Sequence, residues 1–190
     1  MKVLKAVGFI QDIKIKAGEY FLRKESANVK RSHAIMNIRD AKTIGVIFNA
    51  GDINEVELVK KYVTYLRDMG KKVRSMGYVA LKELPGNITT SIDHQCFTLK
   101  NVNWYYKPAI GFIGNFVEEE YDLLLDLNIA NQLPLIYVAA LSKAKCKVGR
   151  YSEKYISLYD VMIETDDQKT LKYFLQNVDT YMEMLNKKAV

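Results

Sequence analysis

Proline is scarce in this sequence, at three residues, and glycine is limited to ten in a chain of 190. Scarcity of both argues against long linkers and against an all-β chain rich in tight turns. No stretch approaches the roughly 18 consecutive apolar residues that a membrane span requires. The apolar start, residues 1–10, is broken by Lys5 and followed by Asp12, Lys14 and Lys16 where a small-residue cleavage site would stand, so no secretory signal is expected. The only cysteines, Cys96 and Cys146, show no CxxC or other metal-ligand spacing. They are expected to be free, buried thiols in a reducing cytoplasm, and no metal site is assigned.

Chemical motifs are equally thin. His33 and His94 are the only histidines, and neither lies in a pattern such as HExxH. There is no GxSxG elbow, no GxGxxG and no GxxxxGK[ST], so nucleophilic catalysis and the known phosphate fingerprints lack support. No catalytic residue and no cofactor is assigned, and whether the chain is an enzyme stays open.

What is present is globular in character, 49% hydrophobic and 26% charged, which excludes intrinsic disorder. The net charge of +6 is unevenly placed. Residues 1–42 hold ten Lys or Arg against four acids, and the remaining 148 residues hold 18 of each sign. Whatever the basic character implies about partners therefore concerns this N-terminal arm.

The arm reads as helix, with Val3, Leu4, Val7, Ile10, Ile13, Ala17, Tyr20 and Phe21 at three- and four-residue spacing. Gly8 and Gly18 weaken it, leaving a break near Gly18 and a continuous helix as equal alternatives. Residues 43–48 are an unbroken apolar run, as in a strand covered on both faces. A turn over 49–54 leads to a helix with a capping-box pair at Asn54 and Glu57, an apolar face of Val56, Val59, Val63 and Leu66, and a stop at Gly70. Residues 72–79 make the second strand of a βαβ unit.

A short strand is expected over 95–99, an aromatic loop over 103–108 and a helical turn or two over 110–120. Residues 121–127 form a buried strand, Pro134 suits the first turn of a helix over 133–143, and short strands come next at 145–149 and 159–164. The last helix is expected to start from a capping box of Thr165 and Gln168 and to carry Leu171, Phe174, Leu175, Val178, Tyr181, Met182 and Leu185 as a continuous apolar stripe. These elements predict an α/β fold: an open, largely parallel Rossmann-like sheet of about five or six strands with helices on both faces. A basic N-terminal helical arm (1–42), packed on or extending from a single α/β domain (43–190), and a C-terminal amphipathic helix complete it.

In such a sheet ligands bind beyond the carboxyl ends of the strands, where the strand order reverses. If strands 43–48 and 121–127 are neighbours, Asn49, Gly51 and Asp52 meet Asp126 and Asn128 there. Amides at the helix start favour an anion, and Asp126 can accept from a hydroxyl or act as a base. The alternative is that these residues only cap turns. Trp104-Tyr105-Tyr106 beside Lys107 can stack a base or sugar, or pack the loop on the core. Lys143, Lys145 and Lys147 alternate onto one face, either as a phosphate site or as lysines guarding a solvated strand edge. Glu118–Glu120 read as solvated surface. The arm's Lys14, Lys16, Arg23, Lys24, Lys30 and Arg31 offer a basic surface, which is a solvated helix face, a nucleic-acid or ribosome contact, or a patch for an anionic membrane.

Residues 42–79 (KTIGVIFNAGDINEVELVKKYVTYLRDMGKKVRSMGYV), the Asn103-Trp104-Tyr105 loop, 121–127 and 141–151 (LSKAKCKVGRY) together resemble an uncharacterised bacterial family, a domain of unknown function. The resemblance spans nearly the whole chain and brings no assigned activity. Residues 121–150 are also similar to the N-terminal half of GT-B glycosyltransferases of the heptosyltransferase type. That similarity implies the fold, with Asp126 and Asn128 in the acceptor-side crevice. It does not imply a complete transferase, which needs a second nucleotide-sugar domain. The leading functional expectation is a non-catalytic cytoplasmic binding or adaptor domain with a nucleic-acid, ribosome or protein partner. The alternative is a domain, or a small transferase, for a nucleotide, nucleotide sugar or sugar phosphate in the crevice.

Overall fold

The computed structural model describes residues 2–165 and 170–185. Its elements run α1 (Lys2–Ser26), β1 (Thr43–Asn49), α2 (Ile53–Asp68), β2 (Lys72–Val79), β3 (His94–Thr98), α3 (Ile110–Val117), β4 (Leu123–Asp126), α4 (Leu133–Leu141), β5 (Cys146–Arg150), β6 (Val161–Ile163) and α5 (Leu171–Met184). Two 3₁₀ turns, Leu99–Asn101 and Glu153–Leu158, come after β3 and β5 respectively.

The six strands form one sheet in the order β3-β2-β1-β4-β5-β6, and every neighbouring pair is parallel. The chain builds outward from β1 to β3, then returns beside β1 to start again at β4. The strand order therefore reverses between β1 and β4, whose register places Ile47 opposite Asp126. This is the α/β fold the apolar runs predict, with helices on both faces. Val56, Val59 and Leu66 of α2 and Phe174 and Val178 of α5 cover Val46, Phe48, Val73 and Leu125 on one face. Ile113 and Phe116 of α3 and Leu135 and Val138 of α4 cover Ile47, Met76, Tyr78 and Leu124 on the other. Each such buried side chain contributes roughly 1.5–3 kcal/mol over its exposed state.

A further layer lies outside α4. Leu22 of α1 packs against Leu133, Ile136, Tyr137 and Ala140 of α4, so residues 133–140 are buried all round. This explains why α4 carries no polar stripe. α1 is continuous through Gly18. A Cβ there would lie 2.4 Å from the carbonyl oxygen of Tyr105 and 2.7 Å from Leu133 Cδ2. Gly18 is thus a point of close approach and not a helix break. Tyr137 Oη donates to its carbonyl at 2.6 Å.

Three local readings are corrected. α2 is capped by Asp52, whose carboxylate accepts from the Asn54 amide at 2.7 Å, while Asn54 lies inside the helix. α5 starts at Leu171 from an N-cap at Thr170, whose hydroxyl accepts from the Tyr173 amide. Gln168 of the expected box lies outside the described residues, and Thr165 Oγ1 instead accepts from Arg150 Nε at 3.1 Å. Finally, β5 lies between β4 and β6, so its lysines do not guard a sheet edge. Lys143 pairs with Glu118, Lys145 with Asp122 at 2.9 Å, and Lys147 is buried.

Candidate functional site

The loops after β1 and β4 emerge at the same end of the sheet, beside the switch point. Their side chains divide between the two sides. Asn49 Oδ1 accepts from the Gly51 amide at 3.0 Å and its Nδ2 donates to Glu55 at 2.9 Å. With Asp52 capping α2, this loop is closed on itself and on the start of its own helix.

Asp126 and Asn128 are buried and act together. Tyr159 Oη donates to Asp126 Oδ2, and the Asn128 amide donates to Asp126 Oδ1 at 2.9 Å. The Tyr159 ring reaches Asp126 by crossing Gly149 of β5, where a Cβ would stand 2.6 Å from the ring. Asn128 then grips Gln132: its Oδ1 accepts from the Gln132 amide at 3.0 Å and its Nδ2 donates to the Gln132 carbonyl at 3.2 Å. Burial raises the Asp126 carboxyl to about 7, although the Tyr159 and Asn128 hydrogen bonds pull the other way. Tyr159 is driven well above its ordinary value by burial and by the neighbouring carboxylate.

This relay shapes one wall of a cleft of about 610 Å³. The cleft is built from the carboxyl ends of the strands and the loops beyond them. Tyr78 and Ala80 stand at the end of β2, Leu99 after β3, Asn131 and Gln132 after β4, and Ser152 after β5. Gln11, Ile15 and Glu19 of α1 close it from outside. Its volume lies in the range of small-molecule sites, about 300–1,000 Å³. Asn131 adopts φ +50°, a left-handed conformation that Asn tolerates, and Gln132 stands at the N-cap of α4. Gln132 Oε1 is buried with no hydrogen-bond partner among the described residues. A ligand N–H or O–H would satisfy it, and an unpartnered buried acceptor otherwise costs about 1–3 kcal/mol.

None of Asn49, Gly51, Asp52, Asp126 and Asn128 lines the cleft directly, and Gln132 is not among the residues the sequence singles out. The aromatic loop divides its residues. Trp104 is 58% exposed, Tyr105 stacks on Phe21 of α1 at 4.8 Å between centroids, and Tyr106 lines the cleft. Lys107 joins Glu25 of α1 at 2.7 Å, so this loop mainly anchors the arm helix.

On the arm, Lys16, Arg23, Lys24 and Lys30 are exposed and Lys14 is half-buried. Arg31, expected on that surface, instead points inward, and its side chain is 8% exposed against Asp160. His33 Nδ1 meets the same carboxylate at 3.0 Å, whereas His94 pairs with Ser75 Oγ at 2.7 Å and stacks on Phe48. Cys96 and Cys146 are buried free thiols, each raised to about 11 by burial. Among the described residues no helix is long and apolar enough to cross a membrane, and no group of three or more His, Cys, Asp or Glu converges as a metal centre would.

The model of a family of unknown function (DUF6913) matches residues 14–185, and the chain belongs to that family. The expected resemblance to a domain of unknown function is thereby shown. No curated protein matches the chain, and no relative's name supports the glycosyltransferase similarity.

Proposed function

We propose that this chain is a small-molecule-binding α/β domain whose ligand, of the nucleotide, nucleotide-sugar or sugar-phosphate type, occupies the cleft at the strand ends. The observation that carries this reading is Gln132 Oε1, a buried acceptor without a partner among the described residues, in the wall of a 610 Å³ cleft at the switch point of a parallel sheet. Tyr78, Leu99 and Tyr106 offer an apolar and aromatic wall to a ring, and Gln132 accepts a hydroxyl or amino hydrogen. The buried thiols fit a reducing, cytoplasmic setting.

The test is a thermal-shift screen of the purified chain against nucleotides, nucleotide sugars and sugar phosphates, with Gln132→Met and Asp126→Asn alongside. A ligand at about 100 times its dissociation constant stabilises by roughly 2.7 kcal/mol, which a melting curve resolves. The reading requires a shift that Gln132→Met abolishes and that Asp126→Asn, which keeps the hydrogen bonds behind Gln132, retains. A shift indifferent to Gln132 would place the ligand elsewhere.

One observation favours an adaptor role as a second reading. Phe9, Ile10 and Ile13 are exposed on α1 beside Lys14 and Lys16, an amphipathic surface open to a macromolecular partner. Serine at those three positions should leave the melting temperature unchanged while abolishing capture of such a partner. For a nucleic acid, binding should also fall steeply with salt.

A further inference from the structure

A second cavity, of about 470 Å³, opens between the C-terminal half of α1, the segment immediately after it and the Glu153–Leu158 turn. Its walls hold Arg23, Arg31, His33, Lys147 and Lys154 against a single carboxylate, Glu19. Two of these cations are already neutralised. Arg31 pairs with Asp160 at 2.8 Å, and Lys154 pairs with Glu19. Arg23, at the mouth, and Lys147, at the floor, have no carboxylate partner among the described residues.

Lys147 is the unusual one. It sits on interior strand β5 and is 3% exposed. An ammonium has three donors, yet among the described residues the one acceptor for its Nζ is the Ala140 carbonyl at 3.2 Å. The Asp160 carboxylate is engaged by Arg31 and His33 on Oδ1 and by the Lys147 backbone amide on Oδ2. A buried cation is normally paired, because stripping it of water without compensation costs several kcal/mol.

We propose that this cavity binds a small phosphate dianion, either inorganic phosphate or the phosphate of an ester, between the ammonium of Lys147 and the guanidinium of Arg23. A dianion supplies the acceptors Lys147 lacks and matches the two uncompensated charges. The charged and titratable groups around Lys147 come from every element packed against it, and the cations among them outnumber the carboxylates. Arg31 and His33 come from the segment after α1, Glu19 and Arg23 from α1, Lys154 and Tyr155 from the 3₁₀ turn and Asp160 from the approach to β6, while α4 contributes only the Ala140 carbonyl. Burial, reinforced by Arg31 and opposed by Asp160, lowers the Lys147 amine to about 7. A bound dianion favours its charged form, so binding should take up a proton above neutrality.

The proposal does not rest on the cleft reading, although the two cavities share Glu19, Lys154 and Tyr155. The test is calorimetric titration of the full chain with inorganic phosphate and, separately, with glucose 6-phosphate near pH 6.5 and pH 8.5. Expected are saturable binding, proton uptake at the higher pH read from buffers of different ionisation enthalpy, affinity on the order of tenfold weaker in Lys147→Met, and several-fold weaker in Arg23→Ala. With inorganic phosphate as the probe, Gln132→Met should leave the binding unchanged, which separates the site from the cleft. Binding of the ester alone identifies an esterified ligand, and binding of both identifies phosphate as sufficient. No binding of either probe at tens of millimolar overturns the proposal, as does equal binding by wild type and Lys147→Met. If Lys147→Met does not fold, Arg23→Ala, which changes an exposed side chain, decides the matter in the same way.

Discussion

Arg31 reaches from the segment after α1 into the body of the domain, donating from Nη2 to Asp160 Oδ1 at 2.8 Å and from Nη1 to the carbonyls of Ala144 and Lys145. One guanidinium thus ties the arm to the start of β5 and the approach to β6. Both side chains are largely buried, at 8% and 14% exposure. Removing one partner of such a pair leaves the other charge uncompensated, which typically costs about 3–5 kcal/mol. Asp160→Ala should therefore lower the urea-unfolding free energy by about that amount. The exposed pair of Arg39 and Glu183 is the control, and Arg39→Ala should cost under about 1 kcal/mol. Equal effects of the two variants would mean that Arg31 is a surface ion pair in solution.

Gly18 sets two effects against each other. Alanine in a helix interior is favoured over glycine by about 1 kcal/mol. Here its Cβ would meet the Tyr105 carbonyl oxygen at 2.4 Å, and Tyr105 is held by Phe21 and by the Asn103 turn. Overpacking of this kind costs about 1–3 kcal/mol, so the clash outweighs the propensity. Gly18→Ala should destabilise the protein in urea while Gly8→Ala, where nothing lies within 4 Å of the added carbon, should be neutral or stabilising. A stabilised Gly18→Ala protein would show that α1 does not hold this seat on α4.

The fold is legible in the sequence because its strands are buried on both faces. The stretches at 44–48 and 123–125 are apolar without alternation, as a parallel strand covered on both faces requires. The cap of α2 sits two residues before the expected one because Asp52 and Asn54 both carry cap chemistry and only the backbone decides between them. The site is half legible. Asp126 and Asn128 stand out at the end of β4, but their partners do not: Tyr159 lies 33 positions away and no periodicity links the two. Arg31 and Asp160 are 129 positions apart. Lys147 is visible as one of three alternating lysines, yet its burial depends on α1, α4 and the Glu153–Leu158 turn packing over that face of β5, and tertiary packing leaves no trace in local sequence.

Asp126 gives a pH dependence with a defined sign. Burial lifts its carboxyl from 3.8 to about 7, so the folded state holds the proton more tightly than the unfolded chain. Stability should therefore fall as pH rises from about 4 to about 7 and level off above. Asparagine removes that titration and can still accept from the Asn128 amide and donate to Tyr159 Oη. Asp126→Asn should match wild type near pH 4 and exceed it near pH 8, by at most about 4 kcal/mol. Denaturation curves of both proteins at the two pH values check this, and parallel pH profiles would place the Asp126 carboxylate in a solvated site.

Lys147 runs in the opposite direction. Its amine falls from 10.5 to about 7, chiefly through burial, so between those values the unfolded chain binds more protons than the folded one. Its contribution to stability rises with pH across that window, and below pH 7 the full cost of the buried ammonium is present. Methionine has nearly the same length and no charge, and replacing buried charge with apolar groups is often stabilising by about 1–4 kcal/mol. Lys147→Met should melt above wild type near pH 6, with the gap narrowing toward pH 10. A gap independent of pH would mean that the ammonium is already compensated in the folded protein. A narrowing gap would mean that Lys147 opposes folding at neutral pH, which a purely structural lysine has no reason to do. In that case adding phosphate should raise the melting temperature of the wild type and leave that of Lys147→Met where it is, because only the wild type keeps the cation that the anion neutralises.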